Sequence, residues 1–518
     1  NDLKNAEAQI KEVKVIEKEQ MVAPVYVVFE IGKSELSKEA RVTLGLLAKA
    51  IKEAPEGTVY NISGYADEGT GSKSMNEKLS AARAQAVYNC LTEEYGVDES
   101  QLRMVSKGGV ENMFYDDPKL SRAVIEEVKI TSGLTGDLFI YEPAGVTMGE
   151  FGVGSRGSGD FYAHRKIAHV IGNTTADIGV DQMDDGGVVK AGDQYVITTV
   201  DGMHSRLSDF PFLAGFHAAR ATLRDVYVMG ATPVGLISDV HIADDGDVAK
   251  LFDYTAGITT VSDALGVPLI AGSTLRIGGD MVIGDRMTGC VGVVGVASHV
   301  TARSATAPGD VLLMTEGCGG GTICTAALYS GNADVVDETI NLHFLKACDR
   351  LIHSDVFCHI HSMTDVTNGG LRGDVHEIAD TAGCTVVVED EPLRGLVAPK
   401  VLELLDKLGI DYLGVSLDAL LVIAPPEYAD EIICVVGEAG VRMERIGYVR
   451  EGEGVARLVK DGVEDAFTPK FREAPYTPLK KVVDREGRDF EEMKKGIDRA
   501  ADAAKAKKAR ILQRLNAE

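Results

Sequence analysis

The sequence predicts an α/β chain in two unlike parts, and three observations carry that expectation. β-rich runs alternate with helical periodicity along most of its 518 residues, the pattern of layered helices and sheets. Composition shifts near residue 132: all eleven histidines lie from His164 onward, together with most of the 57 glycines. In that later part, aspartates recur in separate, mostly glycine-bearing segments. These are Asp184-Asp185-Gly-Gly-Val188, Thr198-Thr-Val-Asp201, Asp225-Val-Tyr-Val-Met-Gly-Ala-Thr-Pro233 and Asp365-Val-Thr-Asn-Gly-Gly-Leu371.

Residues 1–20 read as a charged helical lead-in, with Leu3, Ile10, Val13 and Ile16 at loosely helical spacing. A mixed α/β unit follows over 21–131. Its strands are expected at Val25–Phe29, Val59–Tyr65 and, closing the unit as a third strand, Val124–Ile130. Its helices are expected at Ser37–Lys52, with Ser37 as cap and Glu39 in the first turn, and at Asn76–Tyr95. Residues 132–145 form a hinge. The later part divides into 146–300 and 301–470, with Pro308-Gly-Asp310 opening the second piece. The glycine-rich loop Gly152-Val-Gly-Ser-Arg-Gly-Ser-Gly-Asp160 precedes a helix, Phe161–Val170. Within the tail, 471–518, Asp489–Leu515 should be helical. Its apolar stripe (Met493, Ile497, Ala501, Ala504, Ile511, Leu515) should dock on the body or on a neighbour.

Bulk properties exclude some roles. With 79 acidic against 53 basic residues, the net charge of -26 repels phosphate backbones and argues against nucleic acid as partner. It is compatible with anionic substrates carried by Mg²⁺. No apolar run reaches the ~20 residues of a membrane-spanning helix. The opening Asn1-Asp-Leu-Lys-Asn-Ala-Glu7 is neither a signal peptide nor a Met start, and reads as a processed or trimmed product or a piece of something longer. Eight scattered cysteines, including Cys318-x5-Cys324, give neither a disulfide framework nor a zinc knuckle and read as reduced thiols.

The first unit resembles the OmpA-like peptidoglycan-binding domain. The resemblance rests on Phe29-Glu-Ile-Gly-Lys-Ser-Glu-Leu36, Gly64-Tyr-Ala-Asp67, Asn76-Glu-Lys-Leu-Ser-Ala-Ala-Arg83 and Ser121-Arg122. It implies that Asp67 and Arg83 clamp the peptide stem of peptidoglycan, with Arg122 as a further contact. One acid and one fork-shaped cation suit a stem diamino acid, which offers both an ammonium and a carboxylate.

The aspartate segments, in their order, resemble the superfamily of aminoimidazole ribonucleotide (AIR) synthetase, selenophosphate synthetase, thiamine-monophosphate kinase and the hydrogenase-maturation carbamoyl dehydratase. The resemblance implies a two-subdomain, ATP-dependent homodimer whose first subdomains pair their sheets across the dimer axis. Asp184, Asp185, Asp201 and Asp365 are then the candidates to hold Mg²⁺ on ATP phosphates, since hard cations take oxygen ligands. Asp225 belongs with them at the phosphate end. Gly154, Ser155, Arg156 and Gly157 in the glycine-rich loop, and Asn368, are the remaining ATP candidates. Two departures from the family stand out. Ala271-Gly-Ser273-Thr274 lacks the acid usual there, although Asp280 and Asp285 lie close in sequence. No reactive Cys accompanies Ser155-Arg156, and the chain ends Leu515-Asn-Ala-Glu518 without the carbamoyl dehydratase's terminal cysteine. Neither the selenophosphate synthetase nor the carbamoyl dehydratase activity is therefore expected. His353, His359 and His361 with Cys358 form a local cluster, read as structural or surface residues even though a strand would place His359 and His361 on one face. His164 and His204 are candidates for substrate contact.

The chain thus reads as an OmpA-like domain followed by an AIR synthetase-like ATP-dependent enzyme acting on a small substrate. The halves conflict over compartment: peptidoglycan lies in the cell envelope, ATP in the cytoplasm. An artificial joining of two proteins, a natural fusion whose first domain became an interaction module, and a second half that binds without catalysis all answer that conflict. The competing reading is a non-catalytic envelope protein.

Overall fold

The computed structural model describes residues 26–29, 32–54, 59–67, 73–110, 123–129, 141–154, 157–278, 285–367, 369–473 and 489–516. The helical lead-in, most of the hinge, Arg122, Ser155, Arg156, Asp280 and Asn368 lie outside them, as does the side chain of Asp67. The chain forms two compact units, Asn1–Tyr141 and Glu142–Glu518.

In the first unit the order is β1 (Tyr26–Val28), α1 (Lys38–Lys52), β2 (Val59–Asp67), α2 (Lys73–Asn89), β3 (Leu102–Val110) and β4 (Ala123–Lys129). Helix α1 starts where the sequence says it should, because Ser37 is extended and its hydroxyl accepts from Ala40 N at 3.1 Å. Leu44, Ala48 and Ile51, spaced along one face, are buried with Val27, Phe29 and Ile62. The sheet order is β1-β4-β2-β3, with β2 and β3 parallel and the other pairs antiparallel. Strand β3 corrects the expectation of three strands. Its Ser106-Lys-Gly-Gly109 stretch lacks apolar alternation, and its pairing with β2 is non-local.

The second unit holds two sheets. The first contains β5 (Gly187–Ala191), β6 (Gln194–Gly202), β7 (Thr232–Ala243), β8 (Leu269–Ile277) and β9 (Met287–Ala297), ordered β5-β6-β9-β7-β8. With it go α3 (Met148–Phe151), α4 (Ser158–Ile171), α5 (Pro211–Val228) and α6 (Ala249–Leu265). The second sheet contains β10 (Val311–Thr315), β11 (Ser362–Val366), β12 (Thr385–Glu389), β13 (Ala419–Ala424), β14 (Met443–Arg450), β15 (Val455–Lys460) and β16 (Val463–Ala466). Its order is β11-β13-β10-β14-β12-β15-β16. Its helices are α7 (Gly321–Ser330), α8 (Ala333–Glu338), α9 (His343–Ile352), α10 (Gly370–Ala382), α11 (Asp390–Leu396), α12 (Pro399–Leu408) and α13 (Ala429–Glu438). Helix α14 (Phe490–Asn516) follows.

One hydrophobic cluster runs from the first sheet through α5 to α9 and α13, so α5 is buried on nearly every side. Its approach to α6 requires glycine: a Cβ on Gly215 would lie 2.1 Å from Tyr254 O, and one on Gly257 2.1 Å from Phe212 O. Buried between the two sheets, α5 can present polar residues only where the packing opens, and that opening is the site. The tail helix is buried only in its first turns: of its predicted stripe Met493 is buried, whereas Ala504 is exposed and Leu515 is 58% exposed. Met493 and Gly496 are buried, and Asp498 accepts from Tyr162 Oη at 2.6 Å while pairing with Lys166 at 2.8 Å.

Candidate functional site

A cleft of about 430 Å³ in the second unit gathers the predicted aspartates. Asp184 and Asp185 come from the loop before β5, Asp201 from the end of β6, Asp225 from α5 and Asp365 from β11. The loop is held in an unusual conformation. Met183, a non-glycine residue, has φ 55° and turns the chain immediately before Asp184. Helix α5 contributes His217, Arg220, Ala221, Arg224 and Asp225, spaced by three and four so that one helical face lines the cleft.

Arg303 ties the two sheets together beneath the carboxylates. Its guanidinium donates to Asp185 Oδ1 at 2.6 Å, Glu377 Oε2 at 2.8 Å and Thr364 Oγ1 at 3.0 Å, and its backbone N–H to Asp184 Oδ2 at 3.2 Å. Thr364 in turn donates to Asp185 Oδ2 at 2.7 Å. Asp185 is therefore fixed by one cation and one hydroxyl. Asp184 is held at one oxygen only; its Oδ1 is buried without a hydrogen-bond partner. Burial pushes the Asp184 carboxyl up to about 6, with Asp185 adding to the rise and Arg303 opposing it. Asp225 is raised well above the usual carboxylate range, first by burial and then by Asp365, Asp201 and Asp185. At the other end, Arg220 and Arg224 share Asp418, whose own φ of 56° places it in the left-handed region. Arg224 Nε also lies 3.1 Å from Asp365 Oδ2.

These carboxylates are a fit for Mg²⁺ carried on phosphates. Among the described residues no three acidic, histidine or cysteine side chains are grouped to cage an ion by themselves. Mg²⁺ bound with a nucleotide needs only one or two carboxylates per ion, the rest of its shell being phosphate and water. Asp184, with its unpartnered oxygen, and Asp225, raised by its acidic neighbours, are the groups whose protonation a divalent cation would replace.

The other predicted residues fall variously. Gly154 lines the cleft, but its N–H is donated to Asp160 Oδ1 at 2.8 Å. Gly157 caps α4 and lies against the tail, where a Cβ would meet Phe471 O at 2.2 Å. Asp285 is paired with Lys250 at 2.7 Å and does not line the cleft. His204 does line it, whereas His164 lies 3.6 Å from Asp160. The histidine cluster is not on one strand: His359 ends a 3-10 turn and stacks on Tyr428 at 3.8 Å, while His361 precedes β11 and bonds Asp310 Oδ2 at 2.8 Å. In the first unit Arg83 is fully buried. It donates to Lys33 O at 3.0 Å and Tyr65 O at 2.9 Å and lies over the Phe29 ring.

Sequence reasoning missed the cations. Arg303 has no local signal, being one arginine after a strand. Arg220 and Arg224 had one: with His217 and Asp225 they form a polar stripe at helical spacing inside a largely apolar segment.

Comparison with known proteins places these features. The OmpA family matches residues 28–126. The N-terminal domain of AIR synthase related proteins matches 183–297, and the C-terminal domain matches 307–460. An uncharacterized protein of Methanocaldococcus jannaschii is 52% identical over 409 residues, covering 77% of this chain and 89% of that one. A carbamoyl dehydratase HypE of Rhodobacter capsulatus is 30% identical over 276 residues, covering 51% of this chain and 74% of its own. A selenide, water dikinase of Myxococcus xanthus is 31% identical over 227 residues, 42% of this chain and 61% of its own. Among solved structures, a HypE–HypF complex aligns with a TM-score of 0.49 at 18% identity, covering 59% of this chain and 98% of that one. On the two domain matches and the extent of these identities, the chain belongs to the AIR synthase-related family, with an OmpA-family domain preceding it.

Proposed function

We propose that the second unit is an ATP- and Mg²⁺-dependent enzyme that transfers the γ-phosphoryl group to a small acceptor. The observation that carries this reading is the convergence of Asp184, Asp185, Asp201, Asp225 and Asp365 on one cleft, with Asp184 Oδ1 left unpartnered. A bound cation would supply positive charge to offset the charge that develops in transfer. Asp184, Asp201, Asp225 and Asp365 would hold it. Asp185, fixed by Arg303 and Thr364, would orient the loop that delivers Asp184. In the reaction the bond from the γ-phosphorus to the bridging oxygen breaks, ADP departs with that oxygen, and the acceptor oxygen bonds to phosphorus while its proton passes to solvent water. The test is calorimetric titration of Mg-ATP into the full chain and into Asp201→Asn. Binding by the parent and at least tenfold weaker binding by the variant supports the proposal. A folded parent that binds no Mg-ATP sinks it.

A homodimer through the first sheet goes with this reading. Val200, Ile237, Ile270 and Leu275, on strands β6 to β8, are 66%, 42%, 60% and 55% exposed, an apolar surface of the kind partners cover. For the first unit, the OmpA-family match supports binding to the peptidoglycan stem, which cosedimentation with isolated peptidoglycan tests. Arg83 would reach such a ligand from full burial, with its Nε and Nη1 already given to Lys33 O and Tyr65 O. Among the described residues no helix is long and apolar enough to cross a membrane.

A further inference from the structure

The cleft has two chemically different ends, and the phosphoryl-transfer reading uses only the acidic one. At the other end, Gly321 and Thr322 begin the ten-residue helix α7, which no side chain caps. The first N–H groups of a helix have no intrahelical acceptor, and the helix dipole adds partial positive charge there. His204 lies against this terminus so closely that a Cβ on Gly321 would be 2.4 Å from its ring.

Helix α5, which lines the same cleft, supplies two polar groups that the protein leaves unsatisfied. His217, 3% exposed, has no hydrogen-bond partner at Nδ1, and Arg220, 1% exposed, has none at Nε. The tautomer of His217 follows from its neighbour. Thr339 donates its hydroxyl proton to Val336 O at 2.7 Å, so only its lone pairs remain for His217 Nε2 at 3.5 Å. That pairing favours the tautomer with the ring proton on Nε2, in which Nδ1 is a bare acceptor. Burial, then Arg220, His204 and Arg224, hold His217 well below its ordinary pKa, which keeps the ring neutral. An uncapped helix start and a guanidinium N–H ask for an anionic oxygen, while a bare imidazole nitrogen asks for a donor. Buried polar groups without partners are uncommon in folded proteins, and a ligand is one way they are completed.

We infer that this end of the cleft is the acceptor subsite, and that it takes a small molecule carrying an anionic oxygen at the start of α7 and a hydroxyl or N–H donor directed at His217 Nδ1. The inference rests on the phosphoryl-transfer reading for the word acceptor, but the subsite itself does not depend on it. The class that fits is a small hydroxy or amide acid, or a phosphate monoanion that offers both features in one group.

Glycolate, acetate and inorganic phosphate serve as probes, titrated into the full chain with and without saturating Mg²⁺ and a non-hydrolysable ATP analogue. Acetate has the anion without the donor. The expected result is that glycolate or phosphate binds at least about fivefold more tightly than acetate, the worth of one hydrogen bond. His217→Phe should abolish that preference and retain nucleotide binding. Gly321→Ala should weaken every probe at least tenfold. The proposal is overturned if no probe binds the wild type, if acetate binds as well as glycolate and phosphate, or if the variants leave probe binding unchanged. It is also overturned if His217→Phe weakens nucleotide and probes alike, because that end would then hold ATP phosphates. Should both variants fail to fold, the wild-type order of probes still decides. Absence of Mg-nucleotide binding, with His217-dependent probe binding intact, would instead count against the ATP reading alone.

Discussion

Asp184→Asn separates a cation site from a merely buried acid, because the two respond to pH in opposite directions. In the folded chain burial raises Asp184 from an ordinary 3.8 to about 6. A folded-state pKa above the unfolded value means that the folded chain binds the proton more tightly, so the free protein gains stability as pH falls from about 6 toward 3.8. The rise is worth up to ~3 kcal/mol at full burial. Because the residue is partly open to the cleft, about 2 kcal/mol is the better expectation. Cation binding runs the other way. It requires the ionised group, so Mg-nucleotide affinity should fall about tenfold between pH 7.5 and pH 5 through this group alone. The assay is thermal unfolding with and without Mg-nucleotide, beside calorimetry at the same pH values. In the wild type the free protein should gain stability on acidification while the ligand-induced increment shrinks. Asp184→Asn should flatten both trends and weaken binding about tenfold even at pH 7.5, where the wild-type group is ionised. If the variant binds Mg-nucleotide as the wild type does at pH 7.5, Asp184 is no ligand. If the increment does not depend on pH in the wild type, the assignment of the raised carboxyl to the cation site is wrong.

The remaining expectations are these. ATP in excess EDTA should fail to bind where Mg-ATP binds; equal affinities by calorimetry would refute a cation role for the acidic wall. Asp411 is held at about 2: burial raises it, but hydrogen bonds from Arg372 and Lys470 outweigh that. Being depressed, it contributes its ~2 kcal/mol fully above pH 3.8 and loses it as pH falls through about 2. The stability gap between wild type and Asp411→Asn in urea should therefore close below about pH 4 and be constant above it. Arg83→Ala should destabilise the first unit by about 2–4 kcal/mol through two stranded carbonyls and a cavity, so a loss of peptidoglycan binding in that variant counts only if circular dichroism shows it folded. Ile270→Asp should convert a dimer to a monomer by light scattering; an unchanged mass would refute dimerisation through the first sheet.

What the sequence disclosed follows from how local the signals are. Ser37 and the run to Lys52 announced α1 because capping and apolar spacing act within one helix. The carboxylates were legible because each sits in its own turn or element end, mostly beside glycine, and the order of those segments is a one-dimensional pattern. The cations that organise them were not. Arg303 meets Glu377 74 residues away, and Arg220 meets Asp418 198 residues away, so their partners become visible only once both sheets have packed. Strand β3 was missed for the same reason, since its parallel pairing with β2 leaves no turn signal between neighbours. His359 and His361 were placed on one strand because spacing of two invites it, yet a 3-10 turn ends between them.

The charge balance of the cleft constrains the order of events. Among the described residues five carboxylates line it, Asp184, Asp185, Asp201, Asp225 and Asp365, against three guanidiniums, Arg220, Arg224 and Arg303. The guanidiniums are already committed: Arg303 to Asp185 and Glu377, Arg220 and Arg224 to Asp418 and Asp365. Among the described lining residues no guanidinium is left over to neutralise a triphosphate, so bare ATP would add its charge to an acidic wall at low dielectric, where like charges repel most strongly. Burial and mutual repulsion push Asp225 well above the usual carboxylate range and Asp184 up to about 6, so below that pH a proton on Asp184 relieves the wall in the free protein. A divalent cation does the same while also binding phosphate, and it can enter on the nucleotide without a cage of its own. On this balance a cation would enter with the nucleotide, the raised carboxyls Asp184 and Asp225 would give up any proton they hold as it docks, and the end of the cleft around His217 and α7 would stay free for a molecule that receives the phosphoryl group.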